Sequence, residues 1–359
     1  MDADLRLNRQ AEKGGILNSR ILWFFSRCAK ELGRADCLEN AAHAYRFLTE
    51  KALDKTHGGV YWSLNYDGAP LDTGKHTYAQ AFAIYGLSAY YEASGDEQAL
   101  ALERELFDLI ETKCRDNDGY LEAFHRDFQP ASNEKLSENG VLAERTMNTL
   151  LHVFEGYAGL YQAAPDERVG AAMREILELY AEKIFNPQLC RQEVFFDRDY
   201  NSLIDLHSYG HDIESSWLMD WGTALLHDNA LTRRIGDIDQ CLAARIYDRA
   251  YRKHSVMNEC ERGVDDTHRV WWVQAEAVLG FLNAWEKSGD RIFRDAAVEV
   301  WRYVNGILLD SRPGGEWFWQ VDENGVPDPA KPIVEPWKCP YHNGRMCLEI
   351  IRRNWDVSC

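Results

Sequence analysis

A short turn recurs along this chain at a nearly constant step, and that period constrains the fold more than any other feature. The turn signals "LGRAD", "ASGD", "AAPD", "LHD" and "KSGD" end at Asp36, Asp96, Asp166, Asp228 and Asp290, which lie 60, 70, 62 and 62 residues apart. A fixed period of this kind marks stacked supersecondary units. Each turn follows one helical apolar pattern and precedes another, and an acid placed there can cap the second helix. The first helix of each pair is the more apolar, as in "ILWFFSRCAKEL", "YAQAFAIYGLSAYY" and "VWWVQAEAVLGFLNAW"; the second is charged, as in "ERELFDLIETK". Helices apolar all round belong inside, and amphipathic ones form an outer layer. A sixth inner-type helix, "NGRMCLEIIRRNW", closes the chain. The pattern predicts an all-α protein, an (α/α)6 barrel in one domain over residues 1–359, with a plain helical solenoid as the alternative.

Between the helix pairs run longer, aromatic-rich, strand-like stretches with glycine turns, such as "GGVYWSLNYDGAP" (58–70), "DGYLEAFHRDF" (118–128), "CRQEVFFDRDYN" (190–201) and "GGEWFWQVDENGVP" (314–327). They predict short β-hairpins in the long loops at one end of the barrel, and long loops in a compact helical domain are usually where binding occurs.

Charge and cysteine content narrow the partners. Forty Lys and Arg against 58 Asp and Glu leave a formal charge of −18, which disfavours nucleic acid and anionic membrane. No apolar run reaches the ~18–20 residues that span a bilayer. The nine cysteines are scattered without a Cys-x-x-Cys, and the start "MDADLRLNRQAEKGG" carries no signal peptide; both predict reduced thiols in a cytoplasm. Twelve Trp and 17 Tyr suit sugar platforms, although most single aromatics are core filler.

In such a barrel every inner helix starts at the same mouth. Those starts carry Arg20; Lys75, His76 and Tyr78; Asn148 and His152; His211, Glu214 and Trp217; Trp272 and Glu276; and His342 and Arg345. Burying such polar groups in apolar helices without a use or partner costs several kcal/mol each. Each also has a bland reading: His152 as a hydrogen-bonded core residue, Arg20 paired with Glu276, Arg345 as a structural ion-pair partner. His43, His57, His125, His227, His254 and His268 fall on outer helices or loops and are expected to be solvated. His207 and His211 have metal-ligand spacing on one helix. However, Asp212 looks like an N-cap that leaves His207 in a loop, and no second cluster completes a coordination shell, so no metal and no cofactor are expected. Glu214 and Glu276 as opposed carboxylates would suit a glycoside hydrolase. Several imidazoles around an aromatic-lined pocket suit proton transfer at carbon near neutral pH, because free imidazole titrates near pH ~6.5. A non-enzymatic sugar-binding barrel is the remaining alternative.

The runs "KGGILNSRILWFFS", "KHTYAQAFAIYGLS", "LSENG", "TMNTLLH", "SYGHDIESSWLMD", "RVWWVQAEAVLGF" and "EPWKCPYHNGRMC" keep the order and spacing of motifs in the N-acylglucosamine 2-epimerase family, and the chain resembles its disaccharide-acting branch. The resemblance extends from about residue 12 to the last helix. It implies a cofactor-independent isomerase that reversibly epimerises C2 of the reducing-end glucose in β-1,4-linked disaccharides such as cellobiose, expected to work as a monomer. A monosaccharide enzyme of the family, an N-acylglucosamine 2-epimerase or a mannose-type aldose–ketose isomerase, is the alternative. By the same resemblance His211 and His342 are the acid/base pair, His152 polarises the opened sugar's oxygens, and Arg20 holds the carbonyl and enediolate oxygens. Tyr78 and Asn148 support them, Glu214 grips sugar hydroxyls, and Trp217, Trp272, Glu276 and Trp337 shape two sugar subsites. Members of the family begin with an outer helix upstream of "KGG"; eleven barrel helices are therefore expected here, with the flank at "ILWFF" exposed if this is the true start, a truncated or misassigned start being the alternative.

Overall fold

The computed structural model describes residues 1–136, 139–338 and 340–355; Ser137 and Glu138 of the "LSENG" motif, Cys339 and Cys359 lie outside the described residues. Eleven α-helices are found among the described residues: α1 (Gly15–Leu32), α2 (Ala35–Phe47), α3 (Thr77–Ser94), α4 (Glu97–Lys113), α5 (Met147–Ala163), α6 (Glu167–Leu179), α7 (Tyr209–Leu225), α8 (Asn229–Arg249), α9 (Trp271–Ser288), α10 (Arg291–Tyr303) and α11 (His342–Arg353). The odd-numbered helices pack in a closed ring, α1 on α3 and so on to α11, which returns to α1. The even-numbered ones lie outside it, each packed against the inner helix that precedes it. This is the α/α barrel expected from the period. The division follows apolarity: α3 is buried without a break from Thr77 to Tyr90, whereas α10 buries only Phe293, Ala296, Ala297, Val298 and Val300.

Four of the five recurrent acids do cap. The carboxylates of Asp96, Asp166, Asp228 and Asp290 accept backbone N–H bonds at the starts of α4, α6, α8 and α10. Each such cap is worth about 1 kcal/mol. Asp36 differs: it lies inside the first turn of α2, and Arg34 holds the cap position.

Inner helices approach closely where glycine removes the side chain. A Cβ on Gly156 of α5 would stand 2.7 Å from the Ala81 carbonyl of α3, and one on Gly280 of α9 would stand 2.6 Å from that of Ile213 on α7. The "ILWFF" flank is only partly open. Leu22 and Trp23 are buried and Phe24 packs against Gly344 of α11, while Ile21, Phe24 and Phe25 remain partly exposed.

At the mouth the long loops carry the expected local hairpins, for example Phe185–Asn186 with Arg191–Gln192. A second kind of pairing also occurs. The strand just before an inner helix pairs antiparallel with a strand from the following loop: Lys75–His76 with Ala123–Phe124, Arg145–Thr146 with Phe195–Phe196, Leu206–Ser208 with Glu259–Glu261, and Arg269–Val270 with Gln320–Val321. Each loop is thereby stitched to the next, fixing where the inner helices start. The prediction of uniformly reduced thiols is corrected at one pair: Cys190 and Cys241 are joined, their Cα atoms 6.1 Å apart, within the usual span of a disulfide. They are 51 residues apart, so scattering in the sequence gave no hint of the pairing. No helix is long and apolar enough to cross a membrane among the described residues.

Candidate active site

Inside the mouth lies a cavity of about 360 Å³, walled by the starts of all six inner helices and by the stitched loops. Arg20, Tyr78, Asn148, His152, His211, Glu214, Trp272, Trp337 and His342 all line it. The three imidazoles therefore converge, from α5, α7 and α11. His211 and His342 both lie against Trp272, with ring centroids 4.8 and 5.5 Å from it. Tyr78 meets the edge of His152 at 5.0 Å.

Each histidine is held through Nδ1. Glu155 Oε2 lies 2.7 Å from Nδ1 of His152, and Glu276 Oε1 lies 2.7 Å from Nδ1 of His342. Burial would raise the Glu155 carboxyl, but Arg345 and the His152 bond outweigh it and bring it down to about 2. An ionised carboxylate can only accept, so Nδ1 of His152 carries the proton and Nε2 keeps its lone pair. Burial pushes the Glu276 carboxyl upward, against Arg345 and Trp217. Both its oxygens accept N–H bonds, from Trp217 Nε1 at 2.9 Å and Arg345 Nη2 at 2.8 Å, and His342 completes the set as a third donor. His211 has a neutral partner instead, the Ser208 hydroxyl at 2.6 Å.

Burial keeps all three rings neutral. It lowers His211 to about 3, helped by nearby His152; it lowers His342 well below its ordinary value together with the cations Arg20 and Arg345; and it lowers His152 against the pull of Glu155. Three neutral imidazoles in one pocket can each take a proton. Arg20 stands beside them, donating from Nη2 to Tyr78 Oη at 2.9 Å and from Nη1 to the Trp337 carbonyl at 3.1 Å, so the pairing of Arg20 with Glu276 is not made.

Beneath the cavity sits an ion cluster that the sequence left as a bland possibility. Arg345, 1% exposed, faces three carboxylates: Glu155, Glu214 at 2.5 Å and Glu276 at 2.8 Å. Tyr341 donates to Glu155 and accepts from Arg345. The Glu214, Glu276 and His342 ligand atoms lie within 4.8 Å of one another, a spacing that could hold a cation. Arg345 already supplies the cation at both carboxylates. Glu214 and Glu276 meet the same Arg345 nitrogen, so they stand side by side and not opposed across the cavity. The glycoside-hydrolase arrangement is absent from this pair. Burial, with Glu276 adjoining, pushes the Glu214 carboxyl above the carboxylate range, and its Oε2 has no hydrogen-bond partner among the described residues.

Several expected positions lie elsewhere. Trp217 and Glu276, expected to touch sugar, lie one layer below, where Trp217 donates to Glu276 and stacks under Arg345. Lys75 and His76 do not line the cavity: Lys75 is buried against Asp54 and the Gly58 and Gly59 carbonyls, and His76 packs on Trp62. Asp212 does not cap α7. It sits in the first turn and binds His207, which belongs to the strand Leu206–Ser208, so these two form a buried pair and not a metal site. The six histidines assigned to solvent are exposed. Sequence reasoning missed Ser208, Asn258, Trp319 and Lys331, which also line the cavity. The last three come from loops with no periodicity to betray them.

The profile of the N-acylglucosamine 2-epimerase (GlcNAc 2-epimerase) family matches residues 1–344. The cellobiose 2-epimerase of Eubacterium cellulosolvens is 48% identical, covering 100% of this chain and 92% of that protein. Among solved structures, a sugar epimerase from a ruminal bacterium superposes with a TM-score of 0.98 at 45% identity, over 99% of this chain and 92% of the other. The cellobiose 2-epimerase of Bacillus thermoamylovorans does so at 0.95 and 44%, over 98% and 91%.

Proposed function

Because this chain belongs to the N-acylglucosamine 2-epimerase family, we propose that it reversibly epimerises C2 of the reducing-end sugar of a β-1,4-linked disaccharide, converting the glucose unit of cellobiose to mannose. The observation that carries the reading is the convergence of His152, His211 and His342, all buried and neutral, on one cavity beside Arg20.

The chemistry fits this inventory. A closed aldose ring has no carbonyl, so its C2 proton is not acidic. Histidine opens the ring by moving a proton from O1 to O5. The aldehyde then acidifies C2–H, and one imidazole removes that proton to give an enediolate. Arg20, fixed by Tyr78 and the Trp337 carbonyl, donates to the developing oxyanion, a term that is often the largest in such catalysis. The second imidazole, having taken up a proton from solvent, delivers it to the opposite face of C2, the first releases its own proton to solvent, and ring closure completes the inversion. His211 and His342 serve as this pair, with His152 and Asn148 on the sugar oxygens. Glu214, held at Oε1 by Arg345, turns Oε2 to a sugar hydroxyl. Trp272 and Trp337 form platforms for two sugar rings, which favours a disaccharide over a monosaccharide. Trp217 and Glu276 act from below, Glu276 by orienting His342.

The enzyme is proposed to be a single catalytic domain, active as one chain without nucleic acid, membrane or cofactor. A cytoplasmic place rests on the free thiols of Cys28, Cys37, Cys114, Cys260 and Cys347. NMR of separate incubations with cellobiose, mannose and N-acetylglucosamine tests the substrate. A mannose unit appearing in the disaccharide supports the reading; turnover of the monosaccharides alone overturns it.

A further inference from the structure

Ser208 holds the N-cap position of α7, where a serine hydroxyl ordinarily accepts a bond from the helix's own first N–H groups. It makes no such bond. Thr146, in the corresponding place at the start of α5, does cap, its Oγ1 accepting from the Thr149 N–H at 3.0 Å. The Ser208 hydroxyl is turned instead to Nδ1 of His211 at 2.6 Å. It is also fixed from behind: Ser208 is the last residue of a strand whose partner is Glu259–Glu261, in register with Glu259, and it is only 6% exposed at the cavity wall. The first turn is held independently. Gln192 binds Asp212 Oδ1 through its side-chain amide at 2.9 Å and reaches the His211 carbonyl at 3.2 Å, while His207 takes Asp212 Oδ2 at 2.7 Å. The helix start therefore does not need the serine as a cap.

We propose that Ser208 is the positioning residue for His211: its hydroxyl fixes the ring without placing a charge beside it. The contrast with the other two rings supplies the reason. A carboxylate at Nδ1 stabilises the imidazolium of His152 and of His342, whereas a hydroxyl adds no charge. A hydroxyl can also either accept from Nδ1–H or donate to a bare Nδ1, so His211 can offer the sugar a lone pair or an N–H without any change of partner. This asymmetry rests on the epimerase reading, in which one ring takes the C2 proton and the other returns one. The charged and titratable groups that bear on His211 are His152 on α5, Glu276 on α9 and His342 on α11, with Glu259 on the paired strand.

The test compares Ser208→Ala, Ser208→Thr and Ser208→Asp with the wild type on cellobiose. Ser208→Ala is expected to lower kcat roughly tenfold to a hundredfold, a part of what a positioned acid/base group contributes, with KM little changed. Its melting temperature should stay at the wild-type value, since no capping bond is lost. Ser208→Thr should restore most of the rate. Ser208→Asp should raise the acid limb of the kcat profile by about one pH unit or more, as an anion beside the ring does. A wild-type rate and pH profile in Ser208→Ala would overturn the proposal, as would a lowered melting temperature with the kcat of the folded fraction unchanged. Nitrogen NMR of the His211 ring, read without substrate, separates this proposal from the functional one. Loss of the Nδ1 hydrogen-bond signature in Ser208→Ala supports the contact even if no sugar is turned over, and an unchanged signature refutes it.

Discussion

His211 and His342 reach the cavity from α7 and α11, the inner helices on either side of α9, yet each is held from behind by a different kind of partner. Replacing either with Asn keeps its volume and removes its basicity, and epimerisation should fall by roughly 10²–10⁴-fold, the usual worth of a positioned acid/base group, with KM within a small factor. Initial rates from sugar anomeric signals check this. Arg345 is different in kind, because it touches protein and not the cavity. Arg345→Met leaves Glu155, Glu214 and Glu276 buried without their cation, and losing one member of such a cluster typically costs about 3–5 kcal/mol. Denaturant unfolding should show that loss; a midpoint within error of the wild type would mean the carboxylates are held by other means. At this scale the sequence was informative about which residue types gather at the mouth, because ionisable groups interrupting apolar helices are conspicuous. It was poor on depth. Trp217 and Glu276 follow the same helical pattern as Trp272, and only the packing of α9 and α11 around Arg345 sends the first two below the cavity floor. Ser208 was invisible, since a serine before a helix reads as an ordinary cap.

The helix pairs were legible as elements because their two faces differ so strongly in apolarity and because an acid punctuates nearly every pair. What escaped was the stitching of one loop to the next, which depends on pairing between segments some 50 residues apart, as between Leu206–Ser208 and Glu259–Glu261. Two-residue strands carry too little alternation to announce a partner. Close packing of the inner helices gives an element-scale expectation. Gly156→Ala forces α3 and α5 apart at the Ala81 carbonyl and should destabilise by about 1–3 kcal/mol, the cost of overpacking a core. Gly210 lies nearer the site: a Cβ there would stand 2.4 Å from the Trp272 ring. Gly210→Ala should tilt that platform and raise KM for cellobiose more than it lowers kcat, which a Michaelis analysis of the variant resolves.

Over the whole molecule the barrel buries titratable groups of both kinds, and their linkage shapes stability with pH. His76 and His211 are lowered to about 3 by burial, so below their unfolded values near pH ~6.5 only the unfolded chain takes up these protons, and stability is lost as pH falls. Glu103 and Glu122 are raised by burial to about 8 and about 7. Their contribution is full below the unfolded value near pH ~4.5 and is lost as pH rises through the folded values. Melting temperature should therefore peak between roughly pH 5 and 7 and decline on both sides. A melting temperature that still rises from pH 7 to 9 would contradict this assignment of buried groups.

The two-base chemistry at C2 is tested most directly by following deuterium from heavy water into cellobiose, with the wild type and with the Asn variants of His211 and His342. The wild type should place deuterium at C2 of the newly formed mannose unit. Each variant should stop epimerisation yet still exchange the C2 hydrogen of one epimer, glucose in one variant and mannose in the other. A mannose unit formed without deuterium at C2, or continued epimerisation in both variants, would contradict proton transfer by these two histidines.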